Sequence, residues 1–130
     1  MESLKDLSDS GIDIEKGLFY CSDDMELYLE MLNIFRKEKC NVADQLGAEF
    51  RKGEIEAVRL LAHGLKGVSG TIGSKGIFNA AEALELACIE ESSMEKIDNL
   101  ITELTGKLNP VLEVLTNLEE ISELLRGNAA

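Results

Sequence analysis

Basic residues are scarce in this chain of 130 residues. It has 13 Lys and Arg against 25 Asp and Glu, which gives a formal net charge of −12. A protein that binds nucleic acid needs a basic surface to neutralise phosphates, and anionic membranes attract basic segments. The charge balance therefore argues against a general nucleic-acid binder and against docking on an anionic membrane.

Long apolar runs and paired cysteines are missing too. No run approaches the roughly 20 apolar residues of a membrane span, and the acidic start, Met1 to Asp6, does not read as a signal peptide. The three cysteines (Cys21, Cys40 and Cys88) are odd in number and form no Cys-x-x-Cys pair. Reduced thiols in a cytoplasmic protein are the simplest interpretation.

Proline and aromatic residues are scarce as well, and this scarcity favours an all-helical fold. There is one proline and aromatics make up 5% of the chain, whereas apolar residues make up 45%, with 20 Leu and 18 Glu. Strands would need more aromatic and β-branched residues, while Leu and Glu are good helix formers. We expect one all-α domain over residues 1–130, with a cover segment (1–22) and a helical bundle (23–126).

Apolar spacing divides the bundle into four helices. The first runs from Ser22 or Asp23 to Gly53, and the second runs from Glu54 to the glycines at 73–76. A third helix covers about 77–91. The last covers 94–126, where Asn109-Pro110 either kinks it or starts a new helix. Short connections predict an antiparallel up-down-up-down four-helix bundle, with the N-terminal helical segment covering the overhanging end of the last helix.

The only histidine, His63, lies in the second helix. At about 100° per residue it stands roughly 130° from the middle of the apolar stripe, so it faces solvent. A single surface histidine usually has no special role. Here, however, Gly64, Gly67 and Gly70 surround it, although each glycine costs a helix about 1 kcal/mol relative to alanine. Missing side chains leave room for a visiting group.

Charge is also unusual around His63. Residues 57–81 contain no Asp or Glu, but they include Arg59, Lys66 and Lys75. In an acidic protein this predicts a locally positive, open patch that suits a dianion.

Other chemistries fail on residue type. A di-iron bundle needs Glu-x-x-His twice, zinc needs clustered Cys or His, and an ATP-binding Walker A loop is missing. We expect no metal and no cofactor in this chain. A catalytic triad would need an acid that orients His63; none is near in sequence, though another helix could supply one.

The segment Ala62 to Ser69 (AHGLKGVS) resembles the H-x-x-K-G signature of histidine-containing phosphotransfer (HPt) domains. Gly73, Ile77 and Leu84-Glu85 are similar to the downstream G-A-x-x-L…L-E segment of that family. Upstream, Gly17-Leu18 and the apolar residues up to Phe35 resemble its opening helix. Ser74 replaces the usual alanine, Gly76 adds a break, and Cys21-Ser22 replaces a glycine turn, which affects loops more than the site.

The resemblance implies a phosphorelay intermediate that neither binds ATP nor phosphorylates itself. His63 would accept a phosphoryl group from the phospho-aspartate of one response-regulator receiver domain and pass it to another. Partners would be receiver domains and possibly a hybrid histidine kinase, with Mg²⁺ supplied by the receiver. Lys66 would pair with phosphoryl oxygens, and Gly67 would give steric access. The expected docking surface is Leu60, Arg59, Gly64 and Gly70.

Two other functions stay open at this point. The bundle could be a non-catalytic helical adaptor, whose binding would not depend on His63. It could also be the phospho-accepting domain of a chemotaxis-type histidine kinase, charged by a kinase domain instead of a receiver.

Overall fold

Helices make up the structure, a computed structural model that describes residues 2–127. Within that range there are eight α-helices: α1 (Glu2–Asp9), α2 (Ile14–Tyr20), α3 (Met25–Lys39), α4 (Val42–Arg51), α5 (Ile55–Thr71), α6 (Lys75–Ile89), α7 (Met94–Val114) and α8 (Leu118–Leu125). The same range has no strand, only an isolated bridge between Ile12 and Ser74. The predicted all-α fold is confirmed. No helix among these residues combines the length and apolarity that crossing a bilayer requires.

The core lies between α4, α5, α6 and α7, which pack in that order, and α4 also packs against α7. The α5–α6 pair has the most extensive contact. Apolar side chains of all four helices are buried at this centre: Leu46, Val58, Leu65, Ile77, Leu84, Ile97, Leu104 and Leu108. Burial of these side chains supplies the main driving force for the fold.

The first predicted helix is divided in two. It stops at Cys40, and α4 starts after Asn41, whose backbone (φ −108°, ψ 5°) leaves the helical region. Asn and Cys are both poor helix formers, so the chain can turn there at little cost. The cap of α3 is Asp24, whose side chain accepts from Leu27 N at 3.1 Å, and not Ser22 or Asp23. With the first helix split, the up-down-up-down order stays a prediction.

Pro110 lies inside α7 and does not end it. Both Pro110 and Gly106, whose carbonyl loses its helical partner, are exposed. Water can therefore satisfy that carbonyl, and the helix continues. The interruption falls later, at a 3-10 turn over Leu115–Asn117. Beyond it, α8 packs against α1 and α3, so the opening segment lies over the end of the last helix.

The turn between α5 and α6 is held by the opening segment and by α3. Asp13 N donates to Gly73 O at 2.9 Å, and Tyr28 Oη donates to Ile72 O at 3.0 Å. Burial raises the pKa of Tyr28, which keeps this hydroxyl a donor. These bonds fix the end of α5, the helix that carries His63.

Replacing Gly73 with alanine should destabilise the protein. Gly73 has φ +91°, and a Cβ there would overlap the carbonyl oxygen of Asp13. We expect a loss of about 2–4 kcal/mol in the free energy of unfolding, measured by urea denaturation. Gly53→Ala is the matched control, because Gly53 has φ +76° but open space around it and should lose only about 1 kcal/mol. Equal losses would contradict the predicted overlap.

Candidate functional site

His63 stands on the solvent side of α5, as the rotation of the helix predicts. Its side chain is 62% exposed. The opposite face of α5 is fixed in the core by Val58, Ala62, Leu65 and Ser69. The histidine therefore sits on a rigid element with its ring open to a visiting molecule.

An acid from the neighbouring helix holds the ring. Glu85 of α6 places Oε2 at 2.7 Å from His63 Nδ1, and its Oε1 at 2.8 Å from Lys66 Nζ. The Glu85 side chain is only 10% exposed, against 25% for Lys66. One carboxylate thus contacts the imidazole with one oxygen and an ammonium with the other.

The charge state of Glu85 decides the tautomer of the ring. The hydrogen bond from Lys66 and then that from His63 hold the pKa of Glu85 below its ordinary value of 4.5. The same pairing raises the pKa of Lys66. An ionised carboxylate only accepts hydrogen bonds, so Nδ1 carries the proton. In the neutral ring the lone pair is then on Nε2, the nitrogen that faces away from Glu85.

The predicted positive patch around His63 includes two acids in space. Arg59 donates to both carboxylate oxygens of Glu56, at 2.8 and 2.6 Å, and its Nη1 lies 3.8 Å from Glu85. Lys66, expected to face a phosphoryl group, is likewise occupied by Glu85. The stretch without acids along the chain does not stay acid-free in space, because α6 contributes Glu85 beside it.

The three glycines near His63 have different surroundings. A Cβ at Gly67 would meet nothing within 4 Å, so this position is open. A Cβ at Gly64 would lie 3.6 Å from Lys39 Nζ, and one at Gly70 would lie 3.3 Å from the Phe78 ring. Free access therefore fits Gly67 best, whereas Gly70 makes room for Phe78 on α6.

Apolar surface borders the site on both sides along α5. Leu60, one turn before the histidine, is 55% exposed. On the other side a groove of about 580 Å³ is lined in part by Tyr20, Gly67, Thr71, Lys75 and Phe78. Large exposed apolar side chains bordered by polar residues are typical of protein-docking surfaces.

Two side chains near His63 are not predicted as site residues from the sequence. Glu85 stands there only as part of a family motif, and Lys39 of α3 is not singled out. Glu85 follows Ala81 by one helical turn and so continues the inward stripe of α6, where a charged residue is rare unless it is paired. That signal could have identified Glu85. Lys39 gives no such signal, because only the packing of α3 against α5 brings it near Gly64.

Comparison with protein families matches residues 30–123 to the Hpt domain. Searches of curated proteins and of solved structures gave no match. The match covers most of the chain and includes α5 and α6, which carry His63 and Glu85. The chain belongs to the Hpt domain family, whose members carry phosphoryl groups in two-component signalling.

Proposed function

We propose that this protein is a phosphorelay intermediate, in which His63 accepts a phosphoryl group from the phospho-aspartate of one receiver domain and passes it to another. The observation that carries the proposal is the contact between His63 Nδ1 and Glu85 at 2.7 Å on a ring that is 62% exposed. It supports a nucleophile with one nitrogen held and the other free.

The transfer uses the lone pair of Nε2. Nε2 attacks phosphorus in line with the bond to the aspartate oxygen, the N–P bond forms, and the O–P bond breaks. The aspartate carboxylate leaves with the electron pair. The Nδ1 proton stays on the ring, which gains positive charge, and the Glu85 carboxylate offsets that charge. Transfer to the next aspartate is the same step in reverse.

Lys66 acts here as a positioning residue. Its ammonium holds one oxygen of Glu85, which leaves the other oxygen aligned on the ring. Arg59 supports the same carboxylate from 3.8 Å. A preorganised donor and acceptor avoid reorganisation during transfer, and this is how an orienting acid contributes to catalysis.

The receiver would dock over the open side of α5. Gly67 leaves space for the loops around its aspartate, and Leu60 offers an apolar contact. Gly64 lies between them beside the ring, while Arg59 and Gly70 belong to the edge of this surface. Burying exposed apolar side chains stabilises such a complex by about 25 cal/mol per Å².

We assign no cofactor to this chain, and Mg²⁺ would be bound by the receiver, where it spreads charge on the phosphoryl group. The three cysteines are free thiols, two of them buried, which supports placing the protein in the cytoplasm. No autokinase activity is proposed, in keeping with the family's lack of an ATP-binding kinase site.

Measuring phosphoryl transfer from two kinds of donor tests the relay. The protein is incubated with a panel of phosphorylated receivers and, separately, with ATP and the kinase core of a chemotaxis-type histidine kinase. We expect transfer of labelled phosphate to and from at least one receiver, and none from the kinase core. Labelling by the kinase core alone would instead indicate a kinase's phospho-accepting domain. Receiver binding without any transfer would indicate an adaptor.

A further inference from the structure

Lys39 brings a cation from a different helix close to the residue that follows His63. It is the last residue of α3, and its Nζ lies 3.6 Å from the point where a Cβ of residue 64 would stand. Lys39 therefore reaches across from α3 to α5, directly beside the residue that follows His63. The residue is half-buried, which restricts where the ammonium can go.

The other two cations of the site are already paired. Lys66 Nζ is 2.8 Å from Glu85, and Arg59 is bound by both oxygens of Glu56. In the part of the chain that the structure describes, no carboxylate lies within 4.0 Å of Lys39. An incoming dianion thus meets Lys39 without having to break an existing ion pair.

The orientation of the ring also points away from the paired cations. In an imidazole the two nitrogens project in widely divergent directions. Because Nδ1 points to Glu85 on α6, Nε2 points away from α6 and from Lys66, which Glu85 holds. Lys39 is carried by α3, a different neighbour of α5, and does not belong to the Glu85–Lys66 pair.

We propose that Lys39 is the residue that binds the phosphoryl oxygens of phosphorylated His63. This inference rests on the proposed function. Lys66 and Lys39 then divide the work between them, because Lys66 orients the nucleophile through Glu85 and Lys39 neutralises the transferred group. An ammonium within hydrogen-bond reach favours the dianionic form of a phosphoryl group and so lowers its pKa.

The test measures that pKa directly. Wild type, Lys39→Met and Lys39→Arg are phosphorylated with phosphoramidate, a small donor that needs no receiver, and the phosphohistidine is titrated by ³¹P NMR. We expect Lys39→Met to raise the phosphoryl pKa by about 0.5–1 unit, because the pair is partly solvated. Lys39→Arg should restore a value close to wild type.

Lys37→Met is the matched control. Lys37 lies in the same last turn of α3 but is exposed. Because it precedes Lys39 by two residues, it lies on another face of the helix. Lys37→Met changes the net charge and the charge at the end of α3 by the same amount as Lys39→Met. Because Lys37 lies away from the ring, the phosphoryl pKa should stay at the wild-type value. Equal pKa values in Lys39→Met and Lys37→Met would overturn the inference and leave the relay intact. Failure of every phosphorylated receiver to label His63 in wild type would instead overturn the proposed function.

Discussion

Replacing His63 with Gln should abolish phosphoryl uptake from a phosphorylated receiver, with at least a thousandfold loss of initial rate. The amide of Gln has no nucleophilic lone pair on nitrogen, and Glu85 would lose the ring that it orients. The fold should survive, because the side chain is 62% exposed and Gln is a good helix former. The measurement is the amount of acid-labile, base-stable phosphate on the protein after incubation with the labelled receiver.

The sequence makes the result of this assay simple to assign to a residue. His63 is the only histidine in the chain, so phosphohistidine can form at one position only. Circular dichroism and the melting temperature of the variant serve as controls for folding and should match wild type. Acid-labile, base-stable phosphate on the folded His63→Gln variant would contradict the assignment of the phospho-acceptor.

Replacing Glu85 with Gln should slow transfer about 10- to 100-fold. A hydrogen bond to a charged group contributes about 1.5–3 kcal/mol, and each 1.4 kcal/mol corresponds to a factor of ten. The Gln amide can also turn its NH₂ group to Nδ1, which would favour the tautomer with the proton on Nε2 and remove the nucleophilic lone pair. Stopped-flow or quenched transfer from a phosphorylated receiver gives the rate.

Glu82→Gln is the matched control for this second effect. Glu82 is an exposed residue of α6, one turn before Glu85, and it acts on Lys66 only through its charge. The same chemical change there should alter the rate less than about threefold, in line with the small effect of exposed charge pairs. Similar rate losses in the two variants would show that the effect is general electrostatics and not orientation of the ring.

The pH dependence of stability gives an independent readout of Glu85. Lys66 and then His63 lower its pKa from 4.5, so the ion pair contributes fully above that pH. The contribution is lost as the pH falls through the lowered value. The difference in free energy of unfolding between wild type and Glu85→Gln should therefore become smaller as the pH falls below 4.5. A difference that stays the same as the pH falls well below 4.5 would contradict an ionised, paired Glu85.

Much of the fold follows from local pattern. The apolar spacing predicts α5, α6 and α7, and Gly53, predicted as a helix end, lies just beyond the end of α4. The errors came from features whose effect depends on the surroundings. The alternative in which Asn109-Pro110 starts a new helix is wrong, because Pro110 lies inside α7 on an exposed face where water can satisfy the carbonyl of Gly106.

The sequence by itself predicts that His63 is the phospho-acceptor and that it faces solvent, because His63 is the only histidine and stands at a known rotation from the apolar stripe of its helix. The structure confirms that its side chain is exposed. The tertiary structure decided how that ring is held and which cations have no carboxylate partner among the described residues, because Glu85 lies 22 residues away and Lys39 lies on a different helix. Helix periodicity fixes neighbours within one turn of the same helix. Contacts between helices depend on how the helices pack, and that information is distributed over the whole core.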